Sequence, residues 1–474
     1  MKVMIEKNKK VIIVGGGITG LTAAFYMQKE AREKGLPVDV LLIEATNRLG
    51  GKIQTLRRDG FIIERGPDSF LIRKKSFGIL AEDLGIEDQL VRNATGQAYI
   101  LVNETLHPIP LGSVMGIPTQ FGPFLSSGLF TLTGKLRAAG DLFLPRSGIE
   151  GDQSLGGFFR RRFGREVVDN LIEPLLSGIY AGDLDKLSLE STFPQFKEVE
   201  QNDRSLILGM KKTTPKKVPQ KEGYGAKREG VFHTFRNGLE TVVEAIEAQL
   251  EPGSVMKNIR VDKIGKVDDK TVLTLNTGQE IEADAVIMTT PHEVARTLFS
   301  PHGLLTELKS MPSTTVANVA MAFSQESVVQ DLEGTGFLVS RNSDYAITAC
   351  TWTNRKWPST TPDGKVLIRS YVGRSGDESI VDLPDAEIEK IVLADLRKVM
   401  TIKEAPEFTF VSRWKEGMPQ YTVGHKGRLA AARTELSKQF PNVKLAGASY
   451  EGVGLPDCIN QGKWAVKEVL DELF

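Results

Sequence analysis

The chain has 474 residues, 41% of them hydrophobic, which is more than one core usually organises and points to two or three domains. Lys plus Arg and Asp plus Glu both total 60, so no global field favours nucleic acid and any anion recognition must come from local clusters. The two cysteines, Cys350 and Cys458, exclude a disulfide framework or a zinc ligand set and fit a reducing compartment such as the cytoplasm.

Residues 1–14 are Lys-rich and then apolar. Gly15, Gly16 and Gly17 end that run and no small-residue cleavage site follows, so it reads as a solvated tail entering a strand, not a leader peptide. Lys10, Val11, Ile12, Ile13 and Val14 have the profile of a strand buried on both faces. Over 18–32 the period becomes helical, with Leu21, Ala24, Phe25 and Gln28 on one face, and residues 38–43 return to strand character. Together they predict a βαβ unit of about 35 residues. Residues 88–183 read as mostly helical. Within them 116–144 is the closest approach to a membrane span, but Pro118, Pro123, Gly128, Lys135 and Arg137 interrupt it. Packed helices are the leading reading there, and a peripheral membrane contact is the minor one. No apolar run reaches the ~18 residues of a transmembrane helix. The basic stretch 211–228 reads as a solvated mobile loop and gives no support to nucleic-acid binding. Strand signals recur over 255–290, closed by Pro291, and over 314–411. Residues 443–473 read as strand, loop and helix, with Ile459, Val466, Val469, Leu470 and Leu473 inward, and there is no internal repeat.

Gly15-Gly16-Gly17-Ile18-Thr19-Gly20 matches G-x-G-x-x-G between the first predicted strand and helix. The first glycine permits the tight turn, the second lets backbone approach a diphosphate, and the third lets the helix pack close to the strand. The helix N-terminus then offers unpaired N–H groups to the phosphates. Glu44, 24 residues after Gly20 and at the end of the next strand, is placed to accept hydrogen bonds from ribose hydroxyls. In Glu44-Ala45-Thr46-Asn47-Arg48-Leu49-Gly50-Gly51-Lys52 a carboxylate stands four residues before a cation and paired glycines follow. Such a loop can fold against a diphosphate while Arg48 offsets its charge, which favours FAD over NAD. Only one such glycine motif occurs, so reoxidation by O2 or another acceptor is expected in place of a second, NADPH-binding site.

The stretch 44–52 resembles the second motif of the flavin-containing amine oxidase superfamily. Leu445-Ala446-Gly447-Ala448-Ser449, Gly452-Val453-Gly454-Leu455-Pro456 and the helix after them fit the same pattern. The resemblance implies that this helix points its N-terminus at the flavin, where its dipole stabilises negative charge. It also implies that Val261 lies at the adenine and that the FAD is non-covalent, because no cysteine stands where flavinylated members carry one. Ala448 or Ser449 occupies the place of a usual acidic residue, so that ribityl contact does not carry over. Three further stretches narrow the family: Glu64-Arg65-Gly66-Pro67-Asp68-Ser69-Phe70, Pro174-Leu175-Leu176-Ser177-Gly178-Ile179-Tyr180-Ala181-Gly182-Asp183, and Trp414-Lys415-Glu416-Gly417-Met418-Pro419-Gln420-Tyr421 with Gly424-His425. These are similar to the porphyrinogen oxidases of haem synthesis, and the likeness runs from Val11 to Phe474.

The expected fold is α/β with α+β elements: a Rossmann-like FAD-binding domain (1–70, 226–300 and 425–474), a mixed-sheet substrate domain (71–87, 183–225 and 301–424) and a helical subdomain (88–182). The activity implied is FAD-dependent oxidation of a porphyrinogen, coproporphyrinogen III ahead of protoporphyrinogen IX, with six electrons passed to three O2. No H-E-x-x-H, cysteine pair or G-x-S-x-G is present. The flavin is therefore expected to carry the chemistry with no metal and no catalytic side chain, and His107, His233, His292, His302 and His425 are expected in structural or surface roles. Cofactor contacts are expected from Gly15, Gly16, Gly17, Ile18, Thr19, Gly20, Glu44, Ala45, Arg48, Gly51, Lys52, Gly66, Pro67, Asp68, Ser69, Val261, Trp414, Val453, Gly454 and Leu455. Four propionates call for cations: Arg73-Lys74-Lys75 is the best-placed cluster, with Lys74 first, and Tyr371 and Arg369 are expected pocket walls. An amine oxidase, a flavin-binding redox sensor without turnover, a handover to a ferrochelatase and the oligomeric state stay open here.

Overall fold

The computed structural model describes residues 8–213, 230–329 and 331–474. Most of the basic stretch read as a loop lies outside them, but Lys211 and Lys212 end a helix, Leu206–Thr213.

The strand–helix–strand unit forms as its period predicts: β1 (Lys9–Val14), α1 (Ile18–Lys34) and β2 (Val38–Ile43). Three distant segments complete a parallel sheet in the order Val255–Met256, β2, β1, Ala285–Met288, Val443–Leu445. The period-2 alternation of β1 sends Val11 and Ile13 to one core and Ile12 and Val14 to the other, so both faces are covered. On the first face lie α1, α2 (Ser76–Asp83) and the C-terminal helix (Leu455–Leu473). On the second lie the antiparallel strands Val261–Val267, Lys270–Leu275 and Glu280–Ala283 with helix His425–Gln439. Each fully buried Leu, Ile or Phe in these cores contributes about 1.5–3 kcal/mol.

A second, seven-stranded sheet runs Phe408–Pro419, Ser313–Ser324, Lys365–Val372, Ile347–Trp352, Gly336–Val339, Tyr99–Val102, Thr105–Pro108. It is antiparallel except where Gly336–Val339 meets Tyr99–Val102. Helix Asp385–Val399 covers one face through Ile388, Val392 and Leu396. A helical layer from Phe121 to Thr213 buries Phe158, Phe159, Phe163 and Phe196 around Arg162, which is paired with Asp141 and Glu200.

Two readings of the chain need correction. Residues 88–183 are helical only from Phe121 onward: Leu90–Arg92, Tyr99–Val102 and Thr105–Pro108 are strands, and the last two belong to the large sheet. Asn103 and Glu104 turn that hairpin with φ of 48° and 63°, and four-residue strands are too short for periodicity to reveal. The helix Asp385–Val399 interrupts the strand-rich stretch, although Pro384 and the i, i+4, i+8 spacing of Ile388, Val392 and Leu396 signal it. Among the described residues no helix is long and apolar enough to cross a membrane.

Candidate active site

The glycine turn builds an anion cradle. Gly15 adopts φ 108°, which only glycine takes without strain, and its N–H donates to the Ile43 carbonyl at 2.8 Å, tying the turn to β2. A Cβ on Gly20 would stand 1.9 Å from the Gly15 carbonyl oxygen, whereas a Cβ on Gly17 would meet nothing within 4 Å. One side of the turn is therefore packed shut and the other open. No side chain caps α1, so the first-turn amides at Ile18, Thr19 and Gly20 are left for an anionic ligand. This arrangement fits a diphosphate.

The Glu44 carboxylate accepts from the Gly16 N–H at 2.8 Å and from the Thr46 N–H and hydroxyl at 2.8 and 2.7 Å, with Ala45 exposed beside it. Val261 is buried at the head of its strand, and the preceding residues dock on this loop through Ile259 N–H to the Glu44 carbonyl at 3.0 Å. Arg48 donates to the carbonyls of Gly51 (2.8 Å) and Ile53 and lies 3.5 Å from Glu240, so its charge folds the paired-glycine loop onto the cradle. Gly50 N–H bonds the Gly16 carbonyl at 2.8 Å. Lys52 reaches across to the Gly417 carbonyl, and partial desolvation of its ammonium there pushes its pKa down.

The loop 66–69 is clamped from two directions. A Cβ on Gly66 would collide with the Lys52 carbonyl oxygen at 1.9 Å, and the Trp414 indole N–H bonds the Arg65 carbonyl at 2.8 Å. After Pro67, Asp68 accepts from Lys356 (2.8 Å) and the Ser69 hydroxyl (2.6 Å) and lies 3.4 Å from Arg369. Burial would raise the Asp68 pKa, but the Lys356 and Arg369 charges outweigh it and hold the carboxyl well below its ordinary range. The fully buried Arg369 also donates to the Gly66 carbonyl at 2.9 Å and stacks 5.4 Å from the Tyr371 ring.

The C-terminal segment closes the other side. A Cβ on Gly462 would stand 2.7 Å from the Thr19 carbonyl oxygen, so the C-terminal helix crosses α1 at its first turn. Gln461 accepts from Gly447 N–H at 2.9 Å and donates to the Glu451 carbonyl, while the Tyr421 hydroxyl donates to Ala448 (2.6 Å) and accepts from Gly452 N–H (2.8 Å). These contacts shape the loop leading to Val453, Gly454 and Leu455, the last of which starts the helix. Lys74 pairs with Asp457 at 2.6 Å and so belongs to this side, whereas Tyr371 belongs to the sheet side; Arg73 is exposed. The Nε2 atoms of His292, His302 and His425 each meet a backbone carbonyl, those of Met311, Ile264 and Tyr450.

Sequence reasoning gave no role to Lys356, Tyr421 or Gln461. Lys356 carries no local signal, since its partner is 288 residues away. Tyr421 ends the family-like stretch 414–421, but its bond to Ala448 depends on the fold.

Residues 18–470 match the family model described as flavin containing amine oxidoreductase. The chain is 59% identical over 471 residues to the coproporphyrinogen III oxidase of Bacillus subtilis (strain 168), covering 99% of this chain and 100% of that protein. It is 46% identical over 469 residues to the coproporphyrinogen III oxidase of Staphylococcus aureus (strain NCTC 8325 / PS 47), covering 98% and 100%. A crystal structure from Exiguobacterium sp. 255-15, provisionally assigned as a protoporphyrinogen oxidase, superposes with a TM-score of 0.87 at 39% identity, covering 98% of this chain and 99% of that one.

Proposed function

The chain belongs to the flavin containing amine oxidoreductase family, and we propose that it oxidises coproporphyrinogen III to coproporphyrin III in haem biosynthesis, with non-covalent FAD and with O2 as acceptor. The observation that carries this reading is the likeness, over the whole length of both chains, to two coproporphyrinogen III oxidases. Per substrate, six electrons and six protons leave the macrocycle and three O2 become three H2O2. When bound, the flavin supplies two-electron acceptance in each of three turnovers.

The residues of this chain bind and orient. In this reading the amides of residues 15–20 hold the diphosphate, Glu44 and Ala45 meet the ribose, Val261 meets the adenine, and Arg48, Gly51 and Lys52 close over the diphosphate and ribityl chain. Gly66, Pro67, Asp68, Ser69 and Trp414 frame the flavin from the sheet side, and Val453, Gly454 and Leu455 from the helix side. Arg73 and Lys74 take substrate propionates and Tyr371 walls the pocket. Lys74 must then share its ammonium between a propionate and Asp457, which lies 2.6 Å from it. Supporting the FAD assignment are the uncapped N-terminus of α1 and the open side of Gly17.

Anaerobic mixing of the flavin-loaded protein with coproporphyrinogen III, protoporphyrinogen IX or a primary amine tests the reading. Coproporphyrinogen III should bleach the flavin absorbance fastest. Bleaching by the amine alone would defeat it, and faster bleaching by protoporphyrinogen IX would reassign the substrate.

A further inference from the structure

A groove of about 700 Å³ runs outside the parallel-sheet unit, between the C-terminal helix, the last turns of α1 and the start of α2. That is the size of a small-ligand site. Its inner end is closed by the Lys74–Asp457 pair, whose ammonium lies 3.9 Å from where a Cβ on Gly454 would stand, so the groove adjoins the candidate active site from outside.

Five lysines line it against three carboxylates, Glu30, Asp457 and Asp471. Lys34 is paired with Glu30 at 2.7 Å, and Lys463 sits 4.1 Å over the Tyr26 ring. Lys75 and Lys467 are exposed, with no carboxylate in ion-pair contact among the described residues. Between these lysines Trp464 is 57% exposed, whereas Trp352 and Trp357 are buried. An indole face left to water beside free ammonium groups is the surface that holds a flat aromatic polyanion: the ring stacks and the carboxylates take the charges.

We propose that this groove is a second site for the tetracarboxylate macrocycle, selective for the oxidised product, coproporphyrin III. The inference rests on the coproporphyrinogen reading above. Four saturated carbons keep the porphyrinogen from being flat, so only the product presents one continuous planar ring that can stack on Trp464. The site would receive product as it leaves the active site, with its propionates on Lys75 and Lys467.

Equilibrium dialysis of the holoenzyme with coproporphyrin III tests this without turnover. The wild type should bind two equivalents, and the weaker-binding class should be the more sensitive to salt. Lys467→Glu should lower the affinity of one class at least tenfold while leaving kcat unchanged, and Trp464→Ala should weaken the same class. The uncharged tetramethyl ester should leave the groove empty. One equivalent in the wild type, or two with affinities unchanged in both variants, overturns the proposal. Flavin reduction by coproporphyrinogen III with a single porphyrin bound sinks the groove alone. Two porphyrins bound without flavin reduction sinks the activity alone.

Discussion

Glu64 is buried beside the 66–69 loop, accepting from the Leu239 N–H at 2.6 Å and the Thr55 hydroxyl at 2.9 Å. Burial outweighs these bonds and pushes its pKa from 4.5 up to about 7. Between those values the folded protein keeps a proton that the unfolded chain has lost. Stability is therefore greatest below the window and falls as pH rises through it, by up to about 3 kcal/mol. Melting temperature should drop between pH 5 and pH 8 in the wild type, and Glu64→Gln should flatten that slope; an equal slope in both would reject the assignment. The neighbouring Asp68 is held ionised by the buried Arg369 and the partly buried Lys356. Lys356→Met leaves Arg369, at 3.4 Å, as its only ion-pair partner among the described residues, beside the Ser69 hydroxyl, so urea denaturation should show a loss of about 3 kcal/mol. A loss below about 1 kcal/mol would mean that water, not Lys356, satisfies the carboxylate.

At the scale of elements, the crossing of the C-terminal helix over α1 fixes the position of the first turn of α1 and the glycine turn before it. Gly462→Ala places a methyl 2.7 Å from the Thr19 carbonyl oxygen, and backbone on both sides resists. We expect a destabilisation of about 1–3 kcal/mol together with weaker FAD binding, because the displaced turn carries the amides that the proposal above assigns to the diphosphate. Flavin fluorescence titration and denaturant melts check the two effects, and a stability loss with unchanged FAD affinity would uncouple crossing from cradle. The β1–α1–β2 unit was legible because strand, turn and helix each announce themselves within a few consecutive residues. The hairpin at 99–108 was not, since its strands are four residues long and are stabilised by pairing with Gly336–Val339, far along the chain. The helix Asp385–Val399 had a readable pattern that the surrounding strand signals masked.

For the whole molecule, a ligand that binds only the folded state raises stability with its concentration. If FAD is held non-covalently, melting temperature should rise as FAD is added to the apoprotein, by the equivalent of about 2.7 kcal/mol at a hundredfold excess over Kd. Acid precipitation should release the flavin into the supernatant; yellow colour retained in the pellet would mean a covalent link. The sequence by itself determined the class of ligand, because the glycine turn, Glu44 and the paired-glycine loop lie within about forty residues and encode their own geometry. Tertiary structure alone decided which side chains hold the rest of the site. Asp68 meets Lys356 across 288 residues and Lys74 meets Asp457 across 383. Those pairings follow from how the two sheets and the C-terminal helix pack, and no local pattern in the chain specifies them.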